Sequence, residues 1–258
     1  MNLDLENKIV IVTGGAKGIG EGIVRSFAAE GAIPVIFDRN PDVARALLED
    51  IGGAGHAIST ELTDEGVIRD AVAETVEKFG QIDVVVNNAG VNDGVGLDQS
   101  PDAFLESLRK NLFHVFALVH FALPELKKTR GSIINIGSKV AATGQGNTSG
   151  YAASKGGMNG LTREWAVDLA PFGIRTNCIC PAEVMTPLYE KWLATLDDPE
   201  ETKRRIEFTI PLGQRFTTSE EIADLAVFLA SNRSGHTTGQ IFYPDGGYTH
   251  LDRKATMP

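Results

Sequence analysis

The chain has 258 residues, 42% of them apolar and 22% charged, with 28 glycines, 11 prolines and 2 cysteines. That length is ample for a real hydrophobic core. Aliphatic residues are spread evenly, which excludes a disordered chain, and no apolar run approaches the roughly 20 residues a membrane span needs. The net charge of −10 repels phosphate backbones and anionic lipid, so nucleic acid and membranes are not expected partners.

The N-terminal stretch MNLDLENK has no basic region followed by an apolar one, which predicts no secretory leader. Lys8-Ile-Val-Ile-Val-Thr13 is a continuous β-branched run, the pattern of a strand buried on both faces. Thr13-Gly-Gly-Ala-Lys-Gly-Ile-Gly20 follows, then an amphipathic helix closed by Glu30-Gly31. Ala32 to Phe37 reads as a strand, Pro41 to Asp50 as a helix stopped by Gly52-Gly53, and His56 to Ser59 as a weak strand. Asp64 to Phe79 carries Val67, Ile68, Ala71, Val72, Thr75 and Val76 at helical spacing, and Gln81 to Val86 is again a strand. Pro101 to Lys128 reads as one long helix with a kink or local start at Pro124. Gly131 to Ile136 is a strand, Tyr151 to Ala170 a helix, and Ile174 to Ile179 a strand ended by Pro181. Residues 186–216 are irregular and helical by turns, broken by Pro187, Pro199 and Pro211. A helix over Glu220 to Ser231 and a last strand over Gln240 to Tyr243 complete the pattern. With no linker, repeat or low-complexity segment, strands alternating with helices predict a single doubly wound Rossmann-type α/β domain over residues 1–258. Its seven-stranded, mostly parallel sheet should carry helices on both faces. The cofactor half would be about residues 1–150 and the substrate loop region about 183–216.

Glycines between a first strand and a first helix permit a tight turn and let the backbone approach a pyrophosphate, which rests on the helix N-terminus. Asp38 ends the second strand, about 20 residues on, where a carboxylate takes ribose hydroxyls. The alternative role for Asp38 is capping the helix that starts at Pro41. A carboxylate there favours NAD and repels the extra phosphate of NADP, whereas Lys17 and Arg39 favour that phosphate. The balance tips slightly toward NAD, with NADP kept open.

Tyr151 and Lys155 stand at i,i+4 near a helix start and so share a face. A nearby ammonium favours a phenolate, the form a tyrosine needs to take a proton. Ser138 follows the fifth strand at the sheet's C-terminal edge, where doubly wound folds bind ligands. The 5 histidines show no ligand spacing, so no metal is expected. Cys178 and Cys180, at i,i+2 on a strand, read as buried thiols, and a reducing, cytoplasmic compartment follows by default.

On these residues the chain is similar, over nearly its whole length, to the short-chain dehydrogenase/reductase family. The cofactor turn Thr13 to Gly20 matches, as do Asn87-Asn-Ala-Gly90 after the fourth strand, Asn111 in Lys-Asn-Leu, and Ser138, Tyr151 and Lys155. The resemblance implies an NAD(P)-dependent dehydrogenase in which Tyr151 is the acid/base and Ser138 orients the substrate. Lys155 holds ribose hydroxyls and favours the phenolate, and Asn111 supports a water that relays protons through Lys155. It further implies that Gly14, Lys17, Gly18, Ile19 and Gly20 form the phosphate turn. Asp38 or Arg39 would face the ribose, Asp64 the adenine amino group, and Asn88, Ala89 and Gly90 the adenosine ribose. Pro181, Val184 and Thr186 would lie on the nicotinamide side, Thr186 at the carboxamide. One departure stands out: the family has Pro-Gly where this chain has Pro181-Ala182-Glu183, which puts the backbone path from Ala182 to Met185 in question.

The expected pocket walls, Val91 to Leu97, Ala141 to Gly150 and Glu183 to Leu196, carry Asn92, Asp93, Gln145, Asn147, Glu183, Tyr189 and Trp192. Many acceptors and amides suit a polyhydroxylated substrate, because each buried hydroxyl needs a partner. Asn92, Gln145, Glu183 and Tyr189 are the candidate substrate residues. The stretches around Asn111, Pro181 to Glu190 and Tyr243 to His250 resemble bacterial L-fucose dehydrogenases, which oxidise an anomeric hydroxyl to a lactone. Thr186-Pro-Leu-Tyr-Glu190 also resembles type 14 17β-hydroxysteroid dehydrogenases. The remaining alternatives are another secondary-alcohol dehydrogenase, a 3-oxoacyl reductase and a non-catalytic dinucleotide-binding regulator. An acidic acyl carrier would want a basic patch, which the net charge disfavours. Helices 102–123 and 151–170 are apolar around more than one face (Phe113, Val115, Phe116, Val119 and Phe121; Met158, Leu161, Trp165 and Leu169). That pattern, with the family resemblance, predicts a homotetramer.

Overall fold

The computed structural model describes residues 2–250. Seven strands run β1 Ile9–Thr13, β2 Ile33–Asp38, β3 His56–Ser59, β4 Val84–Asn87, β5 Ser132–Ile136, β6 Arg175–Ile179 and β7 Ile241–Phe242. They form one sheet in the order β3-β2-β1-β4-β5-β6-β7, and every pairing is parallel. The alternation of strand and helix dictates this, since a parallel neighbour is reached only by a crossover, and the crossovers cover both faces.

The continuous apolar runs serve two cores at once. Along β1, Val10 and Val12 enter one core with Ile23, Val24 and Phe27 of helix α1 (Gly18–Ala29) and Ile222 and Val227 of α9 (Ser219–Ala230). Ile9 and Ile11 face the other, with Ile68 of α3 (Glu65–Phe79), Leu118 and Leu126 of α5 (His114–Thr129) and Met158 of α6 (Ser149–Asp168). Each fully buried Val, Ile or Leu contributes about 1.5–3 kcal/mol. Helix α2 spans Pro41–Asp50, as expected, and α4 covers Pro101–Leu108. The proline-interrupted region resolves into α7 (Pro187–Leu193) and α8 (Pro199–Phe208), each with proline in the first turn, where its missing N–H costs nothing.

The long helix differs from expectation in one place. Pro124 sits inside α5, and the irregularity falls earlier, as a π turn over Arg109–Phe113. Pro124 and the residue four before it, His120, are both exposed, so the hydrogen bond that proline forfeits lies on the wet side of the helix. No described helix is long and apolar enough to cross a membrane.

Candidate active site

The strand order reverses between β1 and β4, and the cleft of this sheet opens at their C-terminal ends. Thr13 accepts at Oγ1 from the backbone N–H groups of Asn88 and Ala89, both at 3.0 Å. Asn88 returns its amide to the carbonyls of Thr13 (2.9 Å) and Gly14 (3.1 Å). These four bonds lock the glycine turn to the end of β4. A Cβ on Gly20 would lie 2.2 Å from the Gly14 carbonyl oxygen and 2.6 Å from the Asn88 amide nitrogen, so only glycine fits. Helix α1 begins at Gly18 with no side-chain cap from Lys17, which leaves the N–H groups of its first turn for an anion.

The cleft measures about 760 Å³. Gly14, Lys17, Gly18, Ile19, Gly20, Asp38, Arg39, Asn88, Ala89, Gly90, Ser138, Tyr151, Lys155, Pro181, Val184 and Thr186 all line it. Asp38 does two things. Its carboxylate accepts from Ala16 N at 3.3 Å and Asn40 N at 3.0 Å, bracing the glycine turn and the entry to α2, while its edge faces the cleft beside Arg39. Asp64 departs from expectation: its carboxylate accepts from Gly66 N (2.8 Å) and Val67 N (3.2 Å) as the N-cap of α3. The wall there is Thr60, Glu61, Leu62 and Thr63 instead.

The catalytic candidates are positioned by a buried polar chain. Asn87 donates to Asn135 (2.8 Å), Asn135 to Thr162 (2.9 Å), and Thr162 to the Met158 carbonyl (2.8 Å). This chain pins α6 across β4 and β5, because buried polar atoms hold whatever satisfies them. On α6, Lys155 is only 2% exposed. Its ammonium donates to the Ile136 carbonyl at 2.7 Å and stands 5.6 Å from the centre of the Tyr151 ring. An ammonium has three protons, so this bond leaves two for other partners. Ser138 starts a 3-10 turn over Lys139–Ala141, accepting from Val140 N at 3.4 Å.

Asn111 lies in the π turn, fully buried. Its side-chain amide is taken up by backbone: Oδ1 accepts from Val91 N at 2.7 Å and Nδ2 donates to the Ser107 carbonyl at 3.0 Å. Three residues on, His114 is buried, and neither ring nitrogen has a protein hydrogen-bond partner. Burial, and then the charge of Lys155, pull its imidazolium down to about 4, so it is neutral.

The substrate side answers differently. Of Asn92, Gln145, Glu183 and Tyr189, Tyr189 alone lines the cleft. Asn92 and Gln145 are exposed on their loops, with Asn147 beside Gln145 held at a φ of 52°. Asp93 accepts from Ser107 at 2.8 Å, packing its loop on α4. Glu183 turns away from the cleft to Lys139 and Tyr189, and Trp192 sets its ring against the edge of Tyr189. Glu106 and Lys110 do line the cleft. Glu106 lies on α4 and Lys110 in the π turn, an i,i+4 pair that shares one face. The Ala182 methyl is accommodated, since Ala182 is not among the non-glycine residues with positive φ.

Among the described residues no cluster of His, Cys, Asp or Glu could hold a metal ion. The family model for enoyl-(acyl carrier protein) reductase matches residues 14–249. L-fucose dehydrogenase of Bos taurus is 39% identical over 250 residues, covering 96% of this chain and 92% of that protein. Among solved structures, the Cj0485 dehydrogenase shares 47% identity at a TM-score of 0.94, covering 98% of each chain. The ligand-free aldohexose dehydrogenase of Thermoplasma acidophilum shares 31% identity at 0.88, again covering 98% of each. With this agreement over most of the chain, the protein belongs to the short-chain dehydrogenase/reductase family of oxidoreductases acting on CH–OH groups.

Proposed function

We propose that the chain oxidises a sugar hydroxyl, that of L-fucose or a related aldose, to the lactone. The observation that carries this reading is the likeness to an L-fucose dehydrogenase across 96% of the chain. The likeness to an aldohexose dehydrogenase in fold and length supports it.

Dehydrogenases of this family use NAD(P), and when bound the nicotinamide exchanges a hydride with the substrate carbon. The glycine turn and the uncapped start of α1 fit a pyrophosphate, with Gly14, Gly18, Ile19 and Gly20 beside it. Asn88, Ala89 and Gly90 flank the adenosine ribose, and Pro181, Val184 and Thr186 take the nicotinamide side. Asp38 accepts the ribose hydroxyls and favours NAD, while Lys17 and Arg39, both exposed at the same rim, let NADP bind. Ser138 holds the substrate oxygen. The Tyr151 phenolate removes its proton, and the buried Lys155 ammonium steadies that phenolate. Asn111 holds the Gly90–Val91 backbone over Lys155.

The substrate is a small molecule, and the assembly is a homotetramer. An apolar groove of about 620 Å³ between α4, the π turn, α5 and α6 is lined by Leu105, Leu108, Leu112, Phe113, Phe116 and Leu161. Leu105 is 61% exposed and Phe116 52%, a face that a sister subunit would cover. The free thiols of Cys178 and Cys180 suit a reducing, cytoplasmic setting.

The test is a screen of L-fucose, other aldoses, steroid alcohols and 3-oxoacyl thioesters with both dinucleotides, followed at 340 nm. Reduction of dinucleotide by L-fucose or another aldose with kcat/KM above that for steroids is the expected result. A preference for steroid alcohols or 3-oxoacyl thioesters, or turnover of no aldose at all, overturns the sugar reading. Light scattering at micromolar protein should give the tetramer mass, and a monomer mass rejects the assembly.

A further inference from the structure

Immediately after Ser138, Lys139 leaves the catalytic edge and enters a buried charged network. Its ammonium pairs with the Glu183 carboxylate, with the side chains only 13% and 10% exposed. The second oxygen of that carboxylate accepts from the Tyr189 hydroxyl at 2.8 Å. The Lys139 ammonium also stands 4.2 Å from the centre of the Tyr248 ring. Backbone bonds tie the same pieces together: Lys139 N donates to the Pro181 carbonyl at 2.9 Å, and Thr217 N to the Glu183 carbonyl at 2.9 Å. The Tyr189 ring is wedged edge-on between Trp192 (5.1 Å) and Phe216 (5.3 Å). Burial, and then the nearby Tyr248, push the Tyr189 hydroxyl up to about 12, so it remains a donor throughout the working range of pH.

We propose that Lys139, Glu183 and Tyr189 form a buried latch that fixes α7 over the cleft and so sets how tightly the alcohol substrate is held. Glu183 is its positioning residue. The physical case is one of reach. Helix α7 has seven residues, too few to hold its place by helix propensity, and it needs tertiary anchors. Its first turn touches the glycine turn, where a Cβ on Gly18 would meet the Thr186 side chain at 3.3 Å. Its middle presents Leu188 and Tyr189 to the cleft. Its tie to the turn that also carries Ser138 runs from Tyr189 through the Glu183 carboxylate to Lys139. A buried carboxylate with two charge-assisted or hydroxyl partners is stiff, because releasing either partner strands a charge away from water. The latch therefore couples the wall that selects the substrate to the serine that orients it. Glu183, which the pattern of polar loops marks as a substrate contact, acts one layer behind the wall.

The experiment compares the whole enzyme with Tyr189→Phe and Glu183→Gln, with L-fucose as the probe alcohol. Its kinetic arm rests on the sugar reading, and its fluorescence arm does not. Both variants should raise KM for L-fucose by about tenfold, the factor of one strong hydrogen bond lost, with a much smaller rise in the dinucleotide Kd. Trp192 is 46% exposed and Trp165 is 7%, so acrylamide quenching without substrate reports chiefly on Trp192. Quenching should rise in both variants as α7 loosens. Tyr189→Phe removes one oxygen and keeps the ring, so it decides the matter even where Glu183→Gln fails to fold. Unchanged quenching in Tyr189→Phe overturns the latch, as does a dinucleotide Kd that rises in step with KM. No turnover of L-fucose by the parent enzyme sinks the sugar reading alone, leaving the quenching result to judge the latch.

Discussion

The two sides of the cleft are built in opposite ways. On the dinucleotide side, backbone does most of the work: the glycine turn, the open start of α1 and the Asn88–Thr13 stitch come from residues adjacent in sequence or joined across the sheet's reversal point. On the substrate side the walls are side chains from segments far apart, the π turn before α5, the turn after β5 and helix α7, brought together by long-range contacts such as Lys139–Glu183. Backbone cradles demand particular residues, above all glycine, and leave a signature. Side-chain walls accept many residues, provided the core behind them positions the chain.

The sharpest way to break this contrast is at the catalytic layer between the two sides. Tyr151→Phe should lower kcat by roughly 10²–10⁴-fold while dinucleotide binding by titration calorimetry stays intact. Activity kept within a few-fold would remove Tyr151 from the chemistry.

A comparable effect, on stability rather than rate, is expected behind the same layer. Burial pulls the His114 imidazolium down from its ordinary 6.5 to about 4 in the fold. Between those values the unfolded chain binds the proton and the folded one does not, so this contribution is whole above about pH 6.5 and is lost as pH falls toward 4. The difference is on the order of 3 kcal/mol. Urea midpoints should fall over that window in the parent and fall distinctly less in His114→Leu. Parallel pH profiles would mean that the imidazole is protonated, or hydrated, in the fold.

On the dinucleotide side, Asp38→Ala should move the kcat/KM ratio toward NADP by about tenfold, equivalent to 1.4 kcal/mol. The ratio is the right readout because the carboxylate also braces Ala16 and Asn40, and any loss of that bracing weighs on both dinucleotides alike. A constant ratio would reduce Asp38 to a brace and leave the preference to Lys17 and Arg39.

The smallest effects are expected where polar loops suggest substrate contacts and the fold withholds them. Asn92→Ala and Gln145→Ala, at exposed positions outside the cleft, should change KM for the sugar by no more than about twofold, as surface substitutions do. A tenfold rise for either would mean that its loop closes over the substrate during turnover.

Residue order is enough for the parts of this protein in which residue type and local geometry imply each other. Continuous β-branched runs require strands buried on both faces, and the two cores on either side of β1 follow from its alternation. The glycine turn and the i,i+4 pair of Tyr151 and Lys155 are equally local, so they were legible before any contact was known. The rest depends on contacts distant in the chain, which the folded arrangement supplies. That arrangement moved the break in the long helix from Pro124 to the π turn around Asn111, because an exposed proline forfeits a bond that water replaces. It assigned Asp64 to its own helix end and drew Glu106 and Lys110 to the cleft. It also turned Glu183 from the cleft to Lys139, a residue 44 positions away. A carboxylate on a loop goes to whichever cation or N–H group is nearest in space, and spacing along the chain carries no record of that distance.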